Sequence, residues 1–246
     1  MKLKEYLQEI ERFLKEYLEN AHCEKYILGI SGGVDSSLCA ALARRAVGKE
    51  RLLCLIIPIE SHPDDEKDAL DLVKQLDLDY LTVDATNIFR NYVKDLEALG
   101  ETFDRSTLGN LKARIRMSIL YAFAQKYRGL VIGTDNADER YTGYFTKYGD
   151  GAADVLPIAH LVKGEIVEAS KILGLSNHLA ERVPSAGLFE GQTDEKEMGV
   201  SYTDLDAYVL GKEINAEAKA KIDRLHRISE HKRIPIPTPI PFDRGE

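Results

Sequence analysis

Gly29-Ile30-Ser31-Gly32-Gly33-Val34-Asp35-Ser36-Ser37 is a stretch whose residue types suit one kind of chemistry, the binding of phosphates. Gly32 and Gly33 can take backbone angles closed to other residues and turn their N–H groups toward an anion. A helix starting just after them would point its positive end at the same place, and the hydroxyls of Ser31, Ser36 and Ser37 add donors. No Gly-Lys-[Ser/Thr] sequence follows, so this is not the usual loop that transfers or hydrolyses a γ-phosphate. It carries a carboxylate instead. Asp35 would repel a polyphosphate unless a divalent cation lay between them, which makes it a candidate magnesium ligand. A glycine-rich turn with an N-capping Asp is the plain structural alternative.

Such a loop works only between a strand and a helix, and the flanking pattern supplies both. Tyr26 to Ile30 is a short apolar run, and Ser36 to Val47 is an Ala- and Leu-rich helical stretch. The alternation recurs in Leu52 to Pro58, Pro63 to Leu76, Tyr80 to Val83 and Leu130 to Gly133. Four strand–helix units predict an α/β fold: a doubly wound, open parallel sheet with helices on both faces. Thr134 then falls at the carboxyl edge, where such sheets bind ligands.

Around this centre, residues 2–20 read as an amphipathic helix with Leu3, Tyr6, Leu7, Ile10, Phe13, Leu14, Tyr17 and Leu18 on one stripe. That stripe must bury on the domain's own sheet or on a second subunit. Between Asn87 and Leu108 the pattern weakens, and Gly100, Asp104 and Ser106 suggest a turn before a helix from Gly109 to Tyr127. Gly133 to Gly151 reads as a long functional loop, Lys163 to Leu173 as a helix, and Ser185 to Glu197 as a flexible acidic loop. Asn215 to Glu230 reads as a helix and 234–246 as an extended, proline-rich tail, so that 1–246 forms a single domain.

Composition narrows the function classes. The 246 residues are 44% hydrophobic and 30% charged, which suits a globular protein and argues against disorder. Apolar runs fall far short of the roughly 20 residues that span a bilayer, and the N-terminus lacks a secretory h-region, so the expected location is cytoplasmic, with no membrane partner. A formal charge of -8 argues against a broad nucleic-acid surface but not against a local anion site. Cys23, Cys39 and Cys54 have no metal-ligand spacing and read as buried, reduced thiols.

Ser-Gly-Gly-x-Asp-Ser after the first strand resembles the pyrophosphate loop of the N-type ATP pyrophosphatases, whose fold is of the adenine nucleotide alpha hydrolase type, Rossmann-like. Within that superfamily, Gly133-Thr134-Asp135-Asn136-Ala137-Asp138-Glu139 and Gly143-Tyr144-Phe145-Thr146-Lys147-Tyr148-Gly149-Asp150-Gly151-Ala152-Ala153-Asp154 resemble the ammonia-dependent NAD synthetases. Asn110 to Arg116, Lys163-Gly164-Glu165, Pro184-Ser185-Ala186 and His231-Lys232-Arg233 extend the resemblance over nearly the whole chain.

The resemblance implies that Gly29, Ile30, Ser31, Gly32, Gly33, Val34, Asp35 and Ser36, with Thr134, Lys163 and Ser185, contact ATP, the co-substrate. It implies Mg2+ on Asp35 and Glu139, and catalytic parts for Asp35, Glu139 and Lys163, with Asp150 assisting the ammonia step. It assigns Arg114, Lys147, Asp154, His231 and Lys232 to deamido-NAD, with Asn110 and Arg116 as weaker candidates. The reaction implied is amidation of deamido-NAD by ammonia through an acyl-adenylate, the last step of NAD biosynthesis, in a homodimer. The chain's length leaves no room for the amide-hydrolysing domain of glutamine-dependent relatives, so free ammonia is the expected donor. One departure stands out. Many members carry a polar or long side chain near the second strand's end, where this chain reads Leu55-Ile56-Ile57-Pro58-Ile59. Adenine recognition is then expected from backbone and apolar contacts.

Overall fold

The computed structural model describes residues 1–176, 178, 194–242 and 244. Four parallel strands form its sheet in the order β3-β2-β1-β4: β1 Tyr26–Gly29, β2 Leu52–Ile56, β3 Asp79–Thr82 and β4 Leu130–Ile132. β1 pairs with β2 from Tyr26 against Leu52 and with β4 from Tyr26 against Leu130. The chain winds outward from β1 to β3, then returns to β1's other side. The strand order therefore reverses between β1 and β4, and a crevice opens beyond their carboxyl ends.

Helices cover both faces, as the near-continuous apolar composition of β1 and β2 requires. On one face lie α1 Leu3–Asn20, α2 Val34–Val47, α3 Pro63–Gln75 and α7 Lys163–Ile172. Most of the α1 stripe is buried in the chain's own core, where Leu7, Ile10, Leu14 and Leu18 lie with Leu38 and Leu42 of α2 and Ile166 of α7, while Phe13 and Tyr17 stay exposed. Tyr26 also donates to the Leu14 carbonyl at 2.8 Å. On the other face, α4 Thr86–Glu97 and α5 Arg105–Lys126 pack through Phe89, Ile115 and Ala124 onto Ile27, Leu53, Leu55 and Val131.

Several local expectations are corrected. The weak region after Asn87 contains the helix α4, on which Ile88, Phe89, Tyr92, Val93 and Leu96 recur at helical spacing, with Phe89 buried and Ile88 and Tyr92 exposed. The following helix starts earlier than Gly109, at Arg105, because Asp104 caps it by accepting from the Thr107 N–H at 2.7 Å. The stretch after Gly133 contains a short helix, α6 Ala137–Thr142. The acidic segment expected to be a loop ends in the helix α8 Asp194–Met198, and its earlier part lies outside the described residues. Cys39 and Cys54 are buried, whereas Cys23 is only partly so.

Helices α9 Tyr202–Val209 and α10 Ala216–Ile228 form a small cluster with α6. Gly143 makes that packing possible. It ends α6 at φ 69°, and a Cβ there would lie 2.2 Å from Ser229 at the end of α10. Ser229 donates to the Thr142 carbonyl at 2.8 Å, so the C-terminal segment is delivered to the mouth of the crevice. Residues 235–241 follow without regular structure, exposed along their length.

Leu14→Ala is expected to lower unfolding free energy by about 2–5 kcal/mol, because its side chain is wholly enclosed. Lys15→Ala, on the exposed side of α1, should change it by under about 0.5 kcal/mol. Urea denaturation followed by circular dichroism measures both.

Candidate active site

The loop after β1 and the loop after β4 flank the crevice. In the first, Gly32 has φ 80°, a conformation glycine tolerates without strain. The expectation that Gly33 shares it is corrected: Gly33 is extended, with φ −84°, and forms the N-cap of α2. What a side chain there would meet is Ser31 Oγ at 3.3 Å. The serines brace the loop as much as they offer donors. Ser36 Oγ accepts from the Ser31 N–H at 3.3 Å and donates to the Gly33 carbonyl at 3.1 Å, while Ser37 Oγ donates to the same carbonyl at 2.8 Å. Ser31 is left exposed at the loop's outer side, at the positive end of α2.

Asp35, the second residue of α2, does not cap its helix. Its Oδ2 lies 2.5 Å from Lys163 Nζ, and its Oδ1 accepts from Asn136 Nδ2 at 2.9 Å. Lys163, the first residue of α7, is buried. Burial works to lower its pKa, but the Asp35 and Glu139 charges outweigh it and hold the group above its ordinary value. The Tyr202 ring lies 5.1 Å from the ammonium, and the Tyr202 hydroxyl is anchored on Asp194 Oδ2 at 2.9 Å. The backbone at the start of α7 is fixed as well. Asp138 Oδ2 accepts from the Lys163 N–H and Asp206 Oδ2 from the Gly164 N–H, each at 2.8 Å.

Asn136 is the residue whose role the sequence reading missed. Its Oδ1 accepts from the Glu139 N–H at 2.9 Å, and its own N–H donates to Glu139 Oε2 at 3.0 Å. This capping box leaves Asn136 Nδ2 free to fix Asp35, so one side chain orients both acidic residues. The signal was present as Asn136-Ala137-Asp138-Glu139, a polar cap three residues before a Glu.

Glu139 is held well above the usual carboxylate range, first by burial and then by the Asp35 charge. Two acidic oxygens forced together in this way suit a hard divalent cation, which would relieve their repulsion. Among the described residues no three His, Cys, Asp or Glu side chains converge as a metal cage. An ion held here would take its other ligands from phosphate and water, which is how magnesium is commonly bound.

The cationic candidates are largely brought together at the crevice's outer end. Arg114 Nε donates to the Lys147 carbonyl at 3.3 Å, and Lys147 Nζ donates to the His231 carbonyl at 2.6 Å. Lys232 Nζ donates to the carbonyls of Gly143 at 2.7 Å and Phe145 at 2.6 Å. Asp154 is engaged elsewhere: its carboxylate accepts from the Val131 N–H at 2.7 Å, beside Tyr121. Asn110 accepts from Thr146 Oγ1 at 2.6 Å and so steadies the turn that carries Asp150. Arg116 points to the end of β2, donating to the Ile57 carbonyl at 3.0 Å and Ser61 Oγ at 3.3 Å. It adds a polar group where the strand's own side chains are apolar. Thr134 is half-buried and directly precedes Asp135 and Asn136 in sequence, and Ser185 lies outside the described residues.

Asp135 is enclosed, and burial followed by the Asp150 charge pushes its carboxyl up to about 8. A carboxyl of about 3.9 in the unfolded chain binds its proton more tightly when folded, so its contribution to stability is complete below about pH 4. It is lost as pH rises toward 8, by up to about 1.4 kcal/mol per pH unit. Thermal unfolding of the ligand-free chain between pH 5 and 8 should therefore show a steeper fall than that of Asp135→Asn.

The family model described as NAD synthase matches residues 6–236. The NH(3)-dependent NAD(+) synthetase of Mesoplasma florum is 42% identical over 245 residues, covering 99% of this chain and 100% of that protein. Among solved structures, NMN synthetase from Francisella tularensis superposes with a TM-score of 0.92 at 38% identity, over 98% of this chain and 99% of that one. NH3-dependent NAD synthetase from Campylobacter jejuni does so with 0.81 at 29% identity, over 97% and 100%. A glycine loop, a cation-neutralised aspartate and a doubly wound sheet thus sit within a likeness that runs the length of the chain, and the chain belongs to the NAD synthase family.

Proposed function

We propose that this chain joins ammonia to the nicotinate carboxylate of deamido-NAD, using ATP and releasing AMP and pyrophosphate, to give NAD. The observation that carries this reading is the placement of Asp35, Lys163, Asn136 and Glu139 together at the strand-order reversal, beside a loop fitted for phosphates.

A free carboxylate is a poor acylating agent, so it is first converted to a mixed anhydride. Its oxygen attacks the α-phosphorus of ATP, and the bond from that phosphorus to pyrophosphate breaks. The amides of Gly32 and Gly33 and the start of α2 hold the phosphates, with Ser31, Ser36 and Thr134 at their edge. Ile30 and Val34 pack beneath them. Lys163 offers positive charge where negative charge grows on the departing group. Asp35 and Glu139 would hold magnesium, which supplies neutralisation of the phosphate oxygens. Arg114, Lys147, His231 and Lys232 take the anionic parts of the dinucleotide, and Asp154, whose Oδ2 holds the Val131 N–H, has its Oδ1 to accept from the substrate's donors. Ammonia then forms the C–N bond as the C–O bond to AMP breaks.

The nitrogen donor in this reading is free ammonia. A homodimer belongs to it too: Ile88 and Tyr92 on α4 and Tyr80 and Leu81 on β3 leave an apolar face for a second copy. Light scattering at micromolar concentration should give twice the chain mass; a monomer would overturn the dimer. Among the described residues no helix is long and apolar enough to cross a membrane, and the free cysteines fit a reducing, cytoplasmic setting.

One observation favours a second reading of the substrate. The NMN synthetase from Francisella tularensis superposes more closely than the Campylobacter NAD synthetase. In that reading the activated carboxylate belongs to nicotinic acid mononucleotide, and the chemistry at the α-phosphorus is unchanged. Purified chain, ATP, magnesium and ammonium are mixed with each carboxylate in turn, and kcat/KM is compared. Higher kcat/KM with deamido-NAD is expected; preference for the mononucleotide would establish the second reading, and turnover with neither would sink both. Asp35→Ala should lower turnover at least about a hundredfold through lost charge stabilisation.

A further inference from the structure

Lys163-Gly164-Glu165 is one of the blocks that resemble the NAD synthetases, and only its first residue reaches Asp35. The helix that starts there, α7, has no cap of the usual kind. Its N-cap residue is Val162, whose side chain offers no acceptor to the first free N–H groups. Glu165 Oε2 turns back to accept from the Val162 N–H at 3.1 Å. The N–H groups of Lys163 and Gly164 are taken instead by carboxylates from two other helices, Asp138 Oδ2 of α6 and Asp206 Oδ2 of α9, each at 2.8 Å.

Bonds to consecutive amides bring these two carboxylates side by side, and the arrangement is costly. Like Asp135 Oδ2, the second oxygens, Asp138 Oδ1 and Asp206 Oδ1, are buried with no hydrogen-bond partner among the described residues. A serine or threonine in place of Val162 would cap α7 without stranding either. What the imported carboxylates add is position. Asp206 lies one turn after Tyr202 on the same face of α9, and the Tyr202 ring is 5.1 Å from the Lys163 ammonium. α9 therefore holds the start of α7 by its backbone and Lys163 by its side-chain end. It is set in turn by Leu205, enclosed in one cluster with Ile222 of α10, and by Glu195 Oε1, which accepts from the Tyr202 N–H at 2.8 Å. Gly164 shows how close the approach is: a Cβ there would lie 2.7 Å from Asp206 Oδ2, the atom that accepts its N–H.

We propose that Asp206 is a positioning residue for the ligase reaction: by holding the Gly164 N–H it fixes the first turn of α7, so that the Lys163 ammonium stays on Asp35 and faces the phosphates. Residue 164 is glycine because Asp206 must come this close. The role rests on the amidation reading above, in which Lys163 meets the charge growing on pyrophosphate. Asp206 touches no reacting atom. A shift of α7 by about 1 Å would carry the ammonium from where that charge develops, and misplacement of this size can lower a rate about a hundredfold. Arg114, Lys147, His231 and Lys232 stand on other elements, so binding of the nicotinate substrate is left as it was.

Gly164→Ala is the sharpest test, because alanine favours a helix more than glycine does, and a loss of activity would run against its effect on folding. The added Cβ displaces the Asp206 carboxylate, the movable partner in the contact. In ATP–pyrophosphate exchange with the nicotinate substrate, kcat should fall about tenfold or more while KM for that substrate stays within about threefold. Asp206→Ala should do the same. Asp206→Asn, whose amide oxygen still accepts from the Gly164 N–H, should keep kcat within about threefold of the unsubstituted chain. In the Asp206→Ala background, Gly164→Ala should bring no further loss, since the carboxylate that it displaces is gone. An unchanged kcat in Gly164→Ala, a loss in Asp206→Asn as large as in Asp206→Ala, or additive losses in the double variant would overturn the proposal. Should Asp206→Ala not fold, Gly164→Ala and Asp206→Asn decide it between them. Absence of exchange in the unsubstituted chain would instead overturn the ligase reading, and the positioning role with it.

Discussion

A carboxylate placed in the first turn of a helix is favoured by the helix field, yet Asp35 is largely enclosed and needs partners of its own. It finds them at Asn136 and Lys163, 101 and 128 residues further along the chain. Each partner starts or caps a helix, and each brings a strand-end loop with it. The ion pair between Asp35 and Lys163 and the amide bond from Asn136 therefore fix the relative positions of α2, α6 and α7 at the rim of the sheet. A lysine at a helix N-terminus runs against the helix field, and only the neighbouring carboxylates make it tolerable. Removing either partner leaves a buried charge uncompensated, which costs far more than the pair contributes on its own.

The same enclosure sets the character of the site. Asp135, Asp138 and Glu139 lie within one turn of chain, and burial raises the proton affinity of each. So dense a group of acids is stabilised by positive charge, which the ammonium of Lys163 supplies beside Asp35.

Much of this was legible in the sequence because it is local. The four strands, the phosphate loop and α2 follow from apolar runs and glycines, and the NAD synthetase likeness from contiguous blocks. The fate of the α1 stripe was open, since an amphipathic pattern says that a face is buried but not against what. α4 was missed although Ile88, Phe89, Tyr92, Val93 and Leu96 keep a helical period, because Gly100, Asp104 and Ser106 just after it gave the region the look of a turn. Periodicity marked Lys163 only as the start of a helix, and its burial depends on Asp35 far away in the chain. Asn136 had a readable capping pattern, but the bond from its amide to Asp35 could only come from the tertiary structure. The unpaired oxygen of Asp135 had no signal at all, because an absent partner leaves no trace in composition.

The central claim is that this site activates a carboxylate by forming a bond from its oxygen to the α-phosphorus of ATP. Oxygen-18 placed in the nicotinate carboxylate tests it most directly, with AMP and pyrophosphate analysed by mass spectrometry after turnover with ammonium. The account predicts one labelled oxygen in the phosphate of AMP and none in pyrophosphate. Label in pyrophosphate or inorganic phosphate, or unlabelled AMP, would contradict it.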